Sequence, residues 1–431
     1  MLCPLSAPDK KIVEIGMDEI CNSLACTGCS TCVNVCAKAA ITMIADKEGF
    51  LMPQIEQSQC VNCGLCVKKC PALNPLAAET KQPLAYAVIS NEDRKISSSG
   101  GAFSVFARYV LARNGVIFGA SFYGKDEKGT LVNQFPKLSH IPVEKLEDLD
   151  FLRGSKYIQS DIGDSFKKAK AFLKDGRFVL FTGTPCQIAG LYSFLGNKEY
   201  ENLITLDLVC HGVPNQTYFG SYLEKLKKTS RLTAGGDIEG FRFRKLDSWS
   251  IVPAVKFAET KWQILEQENN SYMSAFFQLV NFRECCYCCQ YSNMNRVGTM
   301  TLADYWGIGK GKKKFGRNVA AGVSLVIDNS GRMPDMREEL SKWAYIEERP
   351  LNEGRMYNHN LNEPSHRPAE RDTAVTDMLD DSISLRQYAN KYNLLDSPIK
   401  HLIKLFFKNM IYGLGLYNTY KTISYKWGKT S

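Results

Sequence analysis

Residues 26–36 read CTGCSTCVNVC and residues 60–71 read CVNCGLCVKKCP. Both contain C-x2-C-x2-C-x3-C, the second run closes with proline, and the two are offset by 34 residues. The N-terminal part of the chain is therefore an internal duplication. The spacing has a chemical reason: three thiolates on one tight loop reach three irons of a single cubane, while the fourth points away. Zinc also uses C-x2-C pairs, but it needs four ligands per site and does not explain two complete four-cysteine runs.

In two-cluster ferredoxins the fourth cysteine of each run ligates the other cluster. On that pattern Cys26, Cys29, Cys32 and Cys70 hold one 4Fe–4S cluster, and Cys60, Cys63, Cys66 and Cys36 hold the other. The connecting residues 40–59 resemble the short strands and turn between the halves of a bacterial-type ferredoxin. Ala37 departs from that pattern, which usually has proline there; the proline shapes the chain and is not a ligand. Residues 1–75 are thus expected to form a two-cluster, ferredoxin-like domain.

The whole chain has 431 residues, enough for two or three domains. Apolar residues make up 44% and charged residues 23%, ordinary for a globular protein. No stretch has 18 consecutive apolar residues, and the first twenty lack a cationic start followed by an apolar run. A cytoplasmic location is the expectation, and there sixteen cysteines point to metal or catalysis ahead of disulfides. The formal charge of +9 counts thiols as neutral. Three clusters at about −2 each would bring it to roughly +3, so a nucleic-acid partner is not expected.

Beyond a linker near residues 75–83, helical spacing begins after Ser97, Ser98, Ser99, Gly100 and Gly101. Small residues at a helix start suit an anion, and equally a plain N-cap. Further on, residues 177–183 and 202–210 read as short apolar strands, each followed by a helix. This β-α-β-α order predicts a parallel sheet. Cys186 and Cys210 fall just past the strand ends, at the edge where open α/β sheets bind ligands. Alone they would pass as buried thiols. Their partner is RECCYCCQYS, residues 283–292, which supplies a C-x2-C pair. Cys285 with Cys288 and Cys286 with Cys289 are equally good pairs by spacing. Either makes four thiolates with Cys186 and Cys210, enough for a third 4Fe–4S cluster.

The stretches SSSGGAFS, RGSKYIQS, FTGTPCQIAGL, LDLVCHGVP, CYCCQYS and GTMTLADYWGIG occur in that order. They resemble the coenzyme F420 hydrogenase/dehydrogenase beta subunit family, here joined to an N-terminal ferredoxin. The resemblance implies an N-terminal-type region over 84–175, a C-terminal-type region over 176–345 and a variable region over 346–431. The family's S-C-Y-x-C-x-Y pattern selects Cys286 and Cys289 as ligands and leaves Cys285 and Cys288 spare. It also implies a flavin, FAD, placed near Ser98, Ser99, Gly100, Gly101, Tyr157, Thr184 and Asp304, with Lys156 as the catalytic cation. GIGKGKKKFG, residues 307–316, matches no dinucleotide fingerprint and no P-loop.

The expected architecture is a ferredoxin-like α+β domain, an α/β flavin and iron–sulfur domain and a C-terminal helical tail. The expected activity is a flavin-dependent iron–sulfur oxidoreductase. It would exchange electrons with a redox partner protein or small molecule and act on coenzyme F420 or a related substrate. Cell-surface polysaccharide assembly is one setting that the resemblance suggests. A subunit that only delivers electrons to a partner enzyme is the alternative. In the tail, Lys400, Lys404 and Lys408 share one helical face opposite an apolar one. Such a helix suits peripheral contact with an anionic membrane surface, or packing on the domain with its lysines in water.

Overall fold

A computed structural model describes residues 20–76, 82–229, 236–310 and 313–395. The duplicated sequence is duplicated in the backbone. Gly28 and Ser30 have φ of 65° and 60°, and 34 residues later Asn62 and Gly64 have 52° and 66°. These left-handed residues wrap each cysteine loop, and a short helix follows in both halves, Thr31–Val35 and Leu65–Lys68. Between the halves, Ile41–Ala45 pairs antiparallel with Leu51–Ile55. The turn is closed by Asp46, whose carboxylate accepts from the backbone N–H of Glu48 and Phe50, both at 2.9 Å. The interior of this module is Ile20, Cys21, Cys26, Cys32, Ile41 and Cys70. So small a module buries little hydrocarbon, and its centre is largely sulfur, as in domains that metal binding completes.

The larger unit is built on an eight-stranded sheet. In spatial order the strands are Ala344–Arg349, Leu84–Ser90, Ser324–Asp328, Met300–Asp304, Leu203–Leu208, Val179–Gly183, Val116–Ser121 and Ser139–Val143. The four from Met300–Asp304 to Val116–Ser121 run parallel to one another. Every other neighbouring pair is antiparallel. The expected parallel pairing of 179–183 with 203–208 is present, but the sheet as a whole is mixed. Only strands joined through helices advertise their direction in sequence; the flanking strands return by other routes. Strands from both sides of residue 176 share this sheet and build one core.

Successive residues of the central strands face opposite covers. Leu180 joins Val105, Phe106 and Met336 on one side, while Val179 and Phe181 join Phe166, Ile188 and Leu191 on the other. Burial on both faces is why RFVLFTG reads as a continuous apolar run. A second core, rich in aromatic rings, packs helix Gln216–Lys227 on the small sheet Ile238–Arg242, Ala254–Phe257 and Gln263–Ile264. Helices Arg371–Leu379 and Leu385–Lys391 lean on the same helix, where the Tyr218 and Tyr388 hydroxyls meet at 2.8 Å. The basic segment around Lys400, Lys404 and Lys408 lies outside the described residues. Among the described residues no helix is long and apolar enough to cross a membrane.

Candidate functional site

The structure brings together the first four cysteines that the spacing grouped. Cys26, Cys29, Cys32 and Cys70 are 7–8% exposed. Burial pushes the Cys29 and Cys32 thiols up, and the neighbouring thiolates of the group add to that. In the second half Cys60, Cys63 and Cys66 are mutual neighbours, and burial raises Cys66. Cys36 and Cys66 both pack on the module's core, while Cys63 is exposed. Cys21 is the residue that the sequence reading left aside. Its thiol hydrogen-bonds Cys26 and Cys70, which raises Cys21 and lowers both partners.

The other thiols converge from three elements. Thr184 caps helix Pro185–Leu195, its backbone N–H donating to Gln187 Oε1 at 3.0 Å, and Cys186 sits in the first turn. Cys210 follows strand Leu203–Leu208. Cys286 and Cys289 come from the turn at Glu284–Cys288 and its end. Burial raises Cys186 and Cys210, and each also feels the thiolates of Cys286 and Cys289. Spacing left two pairs open; Cys286 and Cys289 both act on Cys186 and Cys210, and Cys285 also lies within electrostatic reach of Cys186. Cys285 donates its S–H to Cys286, which raises Cys285 and lowers Cys286. Cys288 is held in a disulfide, so it is more than a spare filler. Arg296 ties the arrangement together. It pairs with Asp207 at 3.0 Å, both fully buried, and donates to the carbonyls of Tyr291 and Leu208 at 2.5 and 2.7 Å.

Two glycines let the ferredoxin module approach this quartet. A Cβ on Gly190, one turn beyond Cys186, would stand 2.6 Å from Thr31 Oγ1 and 3.3 Å from Cys29 Sγ. A Cβ on Gly28 would stand 2.7 Å from both Arg283 Nη2 and Gln159 Nε2. Cys29 accordingly lies within electrostatic reach of Cys186, and Tyr291 feels both. Polar clasps hold the contact. Ser193 donates to Lys69 O at 2.7 Å, Gln290 to Pro71 O at 3.0 Å and Asn215 to Glu48 O at 2.8 Å, while Arg371 pairs with Glu48 at 2.7 Å.

On the far side of the quartet a cavity of about 490 Å³ opens at the sheet edge. That volume is in the range of cofactor and small-molecule sites. Cys210 and Thr184 line it, as do Ser98, Ser99, Gly101, Lys156, Tyr157 and Asp304. Gly100 is not on the wall: its Cα faces inward, where a Cβ would stand 2.2 Å from Val88 O. The serines are engaged in building the loop. Ser98 Oγ accepts from Ser155 N–H at 2.8 Å, and Ser99 donates to Val323 O at 3.0 Å. Thr184 Oγ1 lies 3.1 Å from Cys186 Sγ, so it faces the quartet as well as the cavity.

Lys156 Nζ donates to Leu152 O and Arg153 O, both at 2.8 Å, and burial lowers its pKa to about 7. Asp304 is engaged by Arg244 at 2.7 Å and by Trp249 Nε1 at 2.7 Å. Arg244 was not visible from sequence, and neither was the Trp249–Trp306 stack, with centroids 4.8 Å apart and planes 9° off parallel. Arg244 and Trp306 both line the cavity. Arg244 Nε is buried without a hydrogen-bond partner among the described residues. His140, buried with its Nε2 2.8 Å from Thr182 O, is pushed down to about 4 by burial and stays neutral.

Two ferredoxin-type cysteine runs are docked against an α/β unit, with further thiols at the rim of a large cavity, an arrangement of thiols suited to iron–sulfur electron transfer. Two parts of the chain match known families. Residues 25–74 match the 4Fe-4S dicluster domain, and residues 176–354 match the C terminus of the beta subunit of coenzyme F420 hydrogenase/dehydrogenase. The second match runs nine residues past the boundary expected from sequence. The coenzyme F420-dependent sulfite reductase of Methanocaldococcus jannaschii is 30% identical over 184 residues, 41% of this chain. The chain spans about a quarter of that relative's length, 26%. A chain of the F420-reducing [NiFe] hydrogenase complex from Methanosarcina barkeri aligns over 68% of this chain and 99% of its own. Its TM-score is 0.42 at 13% identity, a likeness too slight to carry an argument.

Proposed function

We propose that the chain is a flavin-dependent iron–sulfur oxidoreductase acting on coenzyme F420 or a related small conjugated substrate. Three 4Fe–4S clusters would be held by Cys26, Cys29, Cys32 and Cys70, by Cys36, Cys60, Cys63 and Cys66, and by Cys186, Cys210, Cys286 and Cys289. FAD would lie in the cavity lined by Ser98, Ser99, Gly101, Lys156, Tyr157, Thr184 and Asp304. The observation that carries this reading is continuity. Cys29 lies against Gly190, Cys186 is one turn away on the same helix, and Cys210 of the same quartet is on the cavity wall. Bound there, the clusters would carry single electrons and the flavin would convert them to two-electron chemistry.

The cavity fits such a guest. It offers Arg244 Nε, which has no hydrogen-bond partner among the described residues, together with the buried Lys156 and the indole of Trp306. Asp304 fixes Arg244, and Lys156 supplies a cation for negative charge on a ring or phosphate. The domain units follow the same logic: 1–75 for the ferredoxin-like part, and 84–175 with 176–345 together for the flavin and iron–sulfur part.

A second reading, an electron-delivery subunit for a partner enzyme, draws support from the outer cysteine loop. Cys63 is exposed and Val61 beside it is 59% exposed. Anaerobic reconstitution, followed by a visible spectrum before and after cofactor extraction, tests the first reading. About twelve irons and one flavin per chain are expected. No flavin retained by a protein with full iron would remove the flavin half. Turnover of F420 without added subunits separates an enzyme from an electron-delivery subunit.

A further inference from the structure

Arg283 stands at the meeting point of two thiol quartets and is only 2% exposed. Its guanidinium donates to Cys26 O at 2.9 Å, to Leu51 O at 2.6 Å, to Gln159 Oε1 at 3.2 Å and to Met52 Sδ at 3.3 Å. The Phe50 ring lies 5.1 Å away. Every one of these partners is neutral. Among the described residues no carboxylate reaches Arg283 within ion-pair distance. Glu284, its neighbour in the chain, pairs with Arg367, and Glu48 in the ferredoxin turn pairs with Arg371. A buried charge left without a counter-charge is strongly unfavourable. The negative charge within reach is that of the two quartets, for the guanidinium is bonded to the Cys26 backbone, and the carbonyl of Arg283 itself accepts from the Cys286 N–H at 2.9 Å. Gly28 is the glycine that makes room for it.

We propose that Arg283 is a potential-setting residue: its fixed positive charge lies between the clusters of the Cys26 and Cys286 quartets and eases the reduction of both. This rests on the reading that both quartets hold clusters. Each cluster gains one electron, and so one negative charge, on reduction. A cation between them stabilises the reduced form of either more than the oxidised form. None of the hydrogen bonds of Arg283 goes to the outer quartet of Cys36, Cys60, Cys63 and Cys66, which should not respond. The same residue also makes the two inner potentials depend on docking, because its donors go to the ferredoxin backbone.

The test is redox potentiometry followed by electron paramagnetic resonance on the reconstituted full chain, with iron content measured first. R283M should keep about twelve irons, and its two inner clusters should become harder to reduce by at least tenfold, 59 mV for a one-electron couple. The third signal should stay where it is. R283K keeps a charge and should shift both by less than R283M. M52E leaves Arg283 in place and sets a carboxylate against it, so it should move the same two signals in the same direction. This second variant decides the matter if R283M does not take up iron. Full iron with unmoved potentials in R283M, or an unmoved pair in M52E, overturns the role of Arg283. A wild-type chain saturating near eight irons overturns the three-cluster reading instead.

Discussion

The two halves of the ferredoxin module share a sequence pattern and a backbone, yet they live in different surroundings. The inner quartet, with Cys26, Cys29, Cys32 and Cys70, is buried throughout. The outer one shows Cys63 to solvent, with Val61 exposed beside it. The equivalent positions Gly28 and Asn62 make the contrast concrete. Both have left-handed φ, but Asn62 is exposed, whereas Gly28 faces Arg283 and Gln159. Duplication thus supplied two similar cages, and docking against the α/β unit made one internal. On the reading proposed above, that asymmetry gives a direction to the module: an open end for exchange with a partner and a closed end for passage to the cavity.

The largest expected effect lies at the closed end. Cys289→Ser replaces a soft thiolate with a hard hydroxyl. Iron should fall by about a third, and reduction of flavin through the ferredoxin should slow by two orders of magnitude or more. Cys286→Ser should behave the same way. Cys285→Ser should keep full iron, because Cys285 only donates a hydrogen bond to Cys286. Iron assay and stopped-flow reduction check both. Equal losses in the 285 and 289 variants would show that the fold does not choose between the pairs.

The second effect concerns accessibility. Titration with ferricyanide under argon should destroy the outer cluster first, leaving about eight irons before the inner signals fade. Simultaneous loss would mean that the difference in burial does not protect the inner site.

A swap between the halves sharpens the comparison further. Asn62→Gly keeps an allowed left-handed residue in an open place and should change stability by a few tenths of a kcal/mol. Gly28→Asn keeps the backbone equally content, since asparagine tolerates that conformation. Its side chain, however, enters the space held by Arg283 and Gln159, an overpacking that costs about 1–3 kcal/mol. Chemical denaturation of the two variants should show that inequality. Equal, small changes would mean that the contact is loose.

Much of this was legible because cysteine spacing is a geometric statement. C-x2-C-x2-C-x3-C constrains four thiolates within a dozen residues, so the two ferredoxin quartets could be grouped at once. The choice between Cys285 with Cys288 and Cys286 with Cys289 could not be read from spacing. It depends on which way a single turn faces the ends of strands a hundred residues earlier. Arg283, Arg244 and Trp306 were opaque for a related reason. An arginine carries no mark of burial in the sequence, and its partners here are backbone carbonyls and residues far along the chain. The mixed sheet escaped because Ser324–Asp328 and Ala344–Arg349 announce no direction. Gly100 read as part of an anion-binding loop, although what it answers is the close approach of strand Leu84–Ser90.

The smallest effect is at the cavity, and it follows from the sign of one pKa. Burial lowers Lys156 to about 7, against about 10.4 for a free lysine. With the cavity empty, the ammonium is charged below pH 7 and loses its proton as pH rises through 7. A bound anion beside it favours the charged form, so the pKa of Lys156 in the complex must be higher. Binding above pH 7 therefore takes up a proton, and affinity falls as pH increases until the pKa of the complex is passed. The Wyman slope cannot exceed one proton, so between pH 7 and 9 the loss is capped at about fiftyfold, and below pH 6 the curve should be flat. FAD titrated into flavin-free protein, followed by fluorescence quenching, measures this directly. Lys156→Met should bind more weakly at pH 6 and show no such decline. If it keeps the same decline, another group controls the charge of the cavity. The hydrogen bonds from Lys156 to Leu152 O and Arg153 O would then serve only to hold the loop.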